Sequence, residues 1–178
     1  MLHIFGFERL GVAICDLYFL NPVQVESQEG PEHGVRLELR ILERPTREGS
    51  IYATQGIEAG PAVWRADFLE SVAGPVGSND RTHHHPTFDG WEPCSREFVP
   101  EMSADPLGWL AKQLSNPKAI LARAGLDERQ VGQADFEGLI SSAPEIVDLV
   151  GRLLERVRAG ELAKAPDQES DMARTGWL

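Results

Sequence analysis

Between Val35 and Leu42 apolar and polar residues alternate without a break. Val35, Leu37, Leu39 and Ile41 fall on one side, and Arg36, Glu38 and Arg40 on the other. Successive side chains of a strand point to opposite faces, so this pattern predicts a half-buried β-strand. Gly11 to Leu20 is apolar at both alternating positions and rich in β-branched and aromatic residues. It predicts a central strand covered on both faces, ended by Asn21-Pro22. Val23 to Gly34 is polar, contains Gly30-Pro31 and reads as a loop. Ile51 to Glu58 and Ala62 to Val72 are two more strand candidates, divided by Ala59-Gly60-Pro61. A loop follows at Gly74-Pro75 and Gly77 to Asp80. Arg81 to Val99 is extended but interrupted by Pro86, Gly90 and Pro93.

After Pro100 the period becomes helical. Asp105-Pro106 is an N-cap followed by a first-turn proline, and Leu107, Leu110 and Leu114 then share a face. Asn116-Pro117 repeats the start signal, and Gly125 is a fitting stop. Ser142-Ala-Pro-Glu145 matches the capping box. Ile146, Leu149, Val150, Leu153, Leu154 and Val157 follow at i, i+3, i+4 spacing, so a helix is expected from Ser142 to Gly160. Residues 161–178 are polar and read as a loosely held tail, apart from Trp177-Leu178. Strands first and helices afterwards imply an α+β fold, with a mostly antiparallel sheet and C-terminal helices packed on it. The β-rich region 1–100 and the helical region 101–160 are expected to form one compact domain. Strands and helices do not alternate, which argues against a doubly wound sheet.

The 178 residues suit one domain with a sizeable core. The formal net charge of -11 argues against a nucleic-acid binder, which needs cations to displace counterions from phosphates. It also disfavours docking on anionic lipid. The two cysteines, Cys15 and Cys94, build no disulfide framework, and a cytoplasmic setting is the simplest expectation. Glu8, Arg9 and Asp16 interrupt any signal-peptide pattern, and no stretch is long enough to span a bilayer.

The chemistry concentrates at His83-His84-His85-Pro86, which holds three of the five histidines. In an extended chain His83 and His85 share a face and His84 points away. Pro86 reinforces this by keeping His85 out of the α region. Such a pair could grip a metal ion, zinc or another divalent cation, given a further ligand from Asp67, Glu70, Asp89 or Cys94. A tight hairpin at Asp89-Gly90 would set Pro86 opposite Pro93 where both should donate hydrogen bonds, which proline cannot do. A wider loop from Pro86 to Pro93 is therefore expected, with Phe88 and Trp91 packed down as the lip of a pocket.

Gly77-x5-His83-x-His85-x3-Asp89 resembles the first cupin motif, but no histidine follows His85 to supply the second. Arg65-Ala-Asp-Phe-Leu-Glu-Ser-Val72, Arg81-Thr-His-His-His-Pro86, Gly90-Trp-Glu-Pro93 and Asp105-Pro-Leu-Gly-Trp-Leu110 together resemble an uncharacterised bacterial domain family. That resemblance spans roughly the first two-thirds of the chain and implies no activity.

Two functional readings follow. In the first, His83 and His85 act as general base or metal ligands of a small-molecule site. Asp67 or Glu70 orients or completes it, Arg65 or Arg96 holds an anion, and Trp91 lines it. In the second, the histidines are structural or pH-sensing parts of a non-enzymatic module that serves a protein partner, with self-association a further option. Asp16, in an apolar strand, must find a donor or shift its pKa upward. Arg65 and Asp67 share a face and are expected to pair.

Overall fold

Five strands follow one another in space in the order in which they occur in the chain. They are β1 (Leu2–Gly6), β2 (Leu10–Leu20), β3 (Glu32–Glu43), β4 (Glu58–Ser71) and β5 (His83–His85), and every neighbouring pair is antiparallel. The computed structural model describes residues 1–21, 30–46, 48–126 and 130–166, and the backbone of 173–175. A small hairpin of β6 (Phe88–Asp89) and β7 (Glu92–Pro93) follows. Then come α1 (Pro100–Ala104), α2 (Pro106–Leu114), α3 (Pro117–Arg123) and α4 (Gln133–Arg158). A last strand, β8 (Ala173–Thr175), pairs with Tyr18–Leu20 of β2. This is the α+β arrangement that the order of periodicities implies.

Residues opposite each other across a ladder share a face. Val12, Leu39 and Trp64 form one such row, and Ile14, Leu37 and Ala66 the next. These residues, with Val35 and Phe68, make the sheet's half of the core. The helices supply the other half through Trp109, Leu110 and Leu114 of α2, Ile120 and Leu121 of α3, and Phe136 to Val157 of α4. Each fully buried leucine contributes roughly 1.5–3 kcal/mol. Asp105 caps α2 as its position suggests, accepting from Gly108 N–H at 3.0 Å, with Pro106 at N1.

Several elements differ from the sequence-based expectation. β1 carries no clear alternation and shows itself only by pairing with β2. Ile51 to Glu58 is not a strand: Ile51, Tyr52 and Ile57 are exposed in the connection after β3. Their β propensity finds no partner strand there. β4 instead runs through Ala59-Gly60-Pro61 without a break, because the β3–β4 register slips on either side of Arg40. That irregularity removes the ladder hydrogen bond Pro61 could not make.

α4 begins at Gln133, not Ser142, and carries Pro144 inside it. Phe136, Leu139 and Ala143 extend the buried stripe backwards. Pro144 and Ile140, whose carbonyl loses its partner, are exposed, so water can satisfy that group. The start is set by tertiary contact. The buried Asp135 carboxylate accepts from Gly132 N–H at 3.1 Å, and from Arg9 and Leu10 N–H at 2.8 and 2.9 Å in the β1–β2 turn. Asp16 likewise finds donors, the Met1 ammonium and Ala163 N–H, the latter at 2.9 Å. Burial alone would raise its carboxyl, but these two contacts hold it below the usual carboxylate range. Of the described residues after α4, Ala163 is buried and Ala173–Thr175 pairs with β2. Trp177 and Leu178 lie outside the described residues. No helix among the described residues is long and apolar enough to cross a membrane.

Candidate functional site

The connection after β4 returns the chain beside it, so that His83 stands opposite Asp67 and His85 opposite Arg65. These four side chains share the sheet face turned away from the helices. His84, opposite Ala66, lies on the core face, with the Trp109 and Trp64 rings 5.2 and 6.4 Å from its own. His83 and His85 therefore project to the same side, as the alternation predicts, and of the two expected carboxylates Asp67 is the one beside them. The two rings lie edge to face, with centroids 5.0 Å apart.

Hydrogen bonding decides how the rings present themselves. His83 Nδ1 lies 2.6 Å from the Arg81 carbonyl oxygen, and His85 Nδ1 lies 2.6 Å from that of Cys94. A carbonyl only accepts, so each Nδ1 carries a proton, and a ring that is neutral presents its Nε2 lone pair. Those Nε2 atoms are 3.3 and 3.6 Å from Asp67 Oδ2. Burial pushes the His85 imidazole below the usual histidine range, which favours this neutral form. Asp67, His83 and His85 are all buried, and their ligand atoms lie within 4.8 Å of one another; the group could hold a metal ion.

Two guanidiniums share the carboxylate. Arg36, opposite Asp67 on β3, donates from Nε to Oδ1 at 2.7 Å and from Nη2 to Oδ2 at 3.3 Å. Arg65 Nε stands 3.0 Å from Oδ2, the expected pairing, and its Nη2 donates to His85 Nε2 at 2.9 Å. Burial by itself would raise the Asp67 carboxyl. Arg36 and Arg65 outweigh it and hold the group well below the usual carboxylate range. Glu38, opposite Arg65, receives Arg40 Nε at 2.9 Å. The β3 face predicted to meet solvent is therefore buried too, as a checkerboard of opposite charges. Among the described residues the ion pairs of Arg36, Arg40 and Arg65 all go to Glu38 and Asp67, three cations against two anions.

Beside this cluster lies a cleft of about 220 Å³, lined by Arg36, Glu38, Arg40, Ala62, Arg65, Phe88 and Trp91. The β6–β7 hairpin forms its outer wall. The hairpin is tight after all, with Gly90-Trp91 rather than Asp89-Gly90 at the turn. This one-residue shift sets Pro93 opposite Phe88 and takes Pro86 out of the ladder, which removes the objection to a hairpin. Gly90 adopts φ +57, which glycine tolerates at no steric cost. Trp91 is not packed down; it is 67% exposed. A larger hollow of about 700 Å³, among Glu8, Arg9, Leu42, Glu43 and Arg44, contains none of the clustered side chains.

Other candidates stand elsewhere. Glu70 is three residues from Asp67 and so on the opposite face, where it receives Arg158 Nε at 2.9 Å and Gly77 N–H at 2.8 Å. It does not approach the histidines. Arg96 is committed to Glu32 through two bonds of 2.9 and 3.1 Å. Asp89 sits in the hairpin, and Cys94 meets His85 through its carbonyl, not its sulfur. Arg36 and Glu38 were missed as members of the cluster. Their signal was present in the matching charge alternations Arg36-x-Glu38-x-Arg40 and Arg65-x-Asp67. Comparison with protein-family models, curated proteins and solved structures finds no match to this chain.

Proposed function

We propose that the protein binds a small molecule at a divalent transition-metal ion held by Asp67, His83 and His85. The separation of the donor atoms carries this reading. Ligands about 2.0–2.2 Å from one tetrahedral ion stand roughly 3.3 Å apart. The two Nε2 atoms lie 3.3 and 3.6 Å from Asp67 Oδ2. Carbonyl contacts at the opposite ring nitrogens are what orient metal-binding histidines. Two imidazoles and a carboxylate suit zinc or iron(II), and leave a coordination position for a ligand that the ion would polarise. Arg65 reaches the same donor atoms, so entry of the ion displaces its guanidinium towards the cleft it lines.

One observation favours the second reading, a structural charge network in an interaction module. Asp67 already has two guanidinium partners, and a divalent ion adds to a local excess of positive charge. Elemental analysis separates the two. Protein stripped with a chelator, incubated with Zn²⁺ or Co²⁺ and desalted should retain about one equivalent. His83→Ala and His85→Ala should retain none while keeping the wild-type circular dichroism. Wild-type protein that retains no more metal than these variants would leave the histidines structural.

A further inference from the structure

We infer that the cleft beneath the β6–β7 hairpin binds a small aromatic carboxylate, with its ring against Trp91 and its carboxylate on Arg40. This names the ligand class of the small-molecule site proposed above and rests on the small-molecule part of that reading. It does not require the metal ion, since Arg40, Phe88 and Trp91 lie outside the donor set.

Charge is the first argument. The whole chain carries a net charge of -11, yet the cleft and the cluster behind it gather three arginines against two carboxylates. One incoming anion balances them. Arg40 is prepared to receive it. Its Nε and Nη2 donate to Glu38 and its Nη1 to the Gly60 carbonyl, which fixes the plane of the guanidinium. A guanidinium has five N–H groups, so one remains on each terminal nitrogen, the pair that can take a carboxylate bidentately.

Shape and surface are the second argument. Trp91 is 67% exposed although it stands on a two-residue turn that fixes its position. A tryptophan so placed adds little to folding, and its face is available for stacking. The Arg40 guanidinium lies 5.9 Å from the Trp91 ring centre, and that of Arg65 lies 5.7 Å from the Phe88 ring centre. Each aromatic ring of the cleft thus stands beside a guanidinium, a pairing that suits a flat anion. The cleft's volume of about 220 Å³ is below the roughly 300–1,000 Å³ of pockets for drug-sized ligands. A single ring with one acidic group is the scale that fits.

The probes are benzoate, its neutral isostere benzamide, and acetate, titrated calorimetrically into chelator-treated full-length protein. Benzoate should bind saturably, and benzamide and acetate at least about tenfold more weakly. Trp91→Ala, at an exposed site, should weaken benzoate about tenfold or more without shifting the thermal midpoint. Arg40→Lys keeps the charge but loses the fork and should weaken it comparably. Should Arg40→Lys fail to fold, Trp91→Ala decides alone. Equal affinities for benzoate and benzamide, a Trp91→Ala variant that binds as well as wild type, or no saturable benzoate binding would each overturn the inference. Failure here with metal retained leaves the metal centre standing. Benzoate binding without metal retention supports the cleft and removes the ion.

Discussion

Replacing Asp67 by asparagine tests whether the carboxylate at the centre of the cluster holds the sheet face together. The Asp67 side chain is 1% exposed and that of Arg36 is 8% exposed. The amide removes the charge and turns one acceptor oxygen into an NH2 group that faces donors. Arg65 still has Glu38 at 3.8 Å, whereas Arg36 has no other ion pair among the described residues. Removing one partner of a buried pair costs about 3–5 kcal/mol, because the remaining charge stays buried and uncompensated. In a chain of this size 1 kcal/mol moves the midpoint by about 2–4 °C, so Asp67→Asn should lower it by roughly 6–20 °C. Arg36→Met leaves Asp67 with Arg65 and should cost less. Thermal unfolding followed by circular dichroism in the presence of a chelator reads the protein's own contribution, free of any metal. A midpoint for Asp67→Asn within about 2 °C of wild type would show that the guanidiniums are satisfied without the carboxylate, and the argument from burial would fail.

Two further outcomes follow from the packing and from Asp16. Leu153 is buried in α4 against the sheet, so Leu153→Ala should cost roughly 2–5 kcal/mol in chemical denaturation; an unchanged transition would place that face outside the core. The Asp16 carboxyl is held below its usual range by the Met1 ammonium and Ala163 N–H against the opposing effect of burial. A depressed folded-state pKa means that stability is fully present above the unfolded value of about 3.9 and is lost as the pH falls through the folded value. Wild type should therefore exceed Asp16→Asn in thermal midpoint at neutral pH, with the gap closing below about pH 4; a gap that stays constant on acidification would contradict the linkage.

Much of the site was legible before any fold was known, because strand periodicity is a property of covalent geometry. The alternation that puts His83 and His85 on one face of their strand, and Arg65 with Asp67 on one face of theirs, needs no tertiary information. Nor does the order of strands before helices, or the Asp105-Pro106 start of α2. Sequence could not choose between Asp67 and Glu70. They lie three residues apart and so face opposite ways, and the choice depends on the β4–β5 register.

Register, and which faces are covered, were decided by long-range packing. Asp67 lies opposite His83 because Trp64, Ala66 and Phe68 must turn to the helices, which sends Arg65 and Asp67 to the other side. The same packing buries Arg36 and Glu38, which alternation alone assigned to solvent. It also carries α4 back past Ser142 to Gln133, where Asp135 meets the Arg9 and Leu10 amides across more than a hundred residues of chain. The turn at Gly90-Trp91 follows the same rule: a shift of one residue released Pro86 from the ladder and left Trp91 exposed. Local sequence sets the period of each element and the face each side chain takes. Which faces meet, in what register and under what cover, is settled only when distant segments compete to bury the same surface.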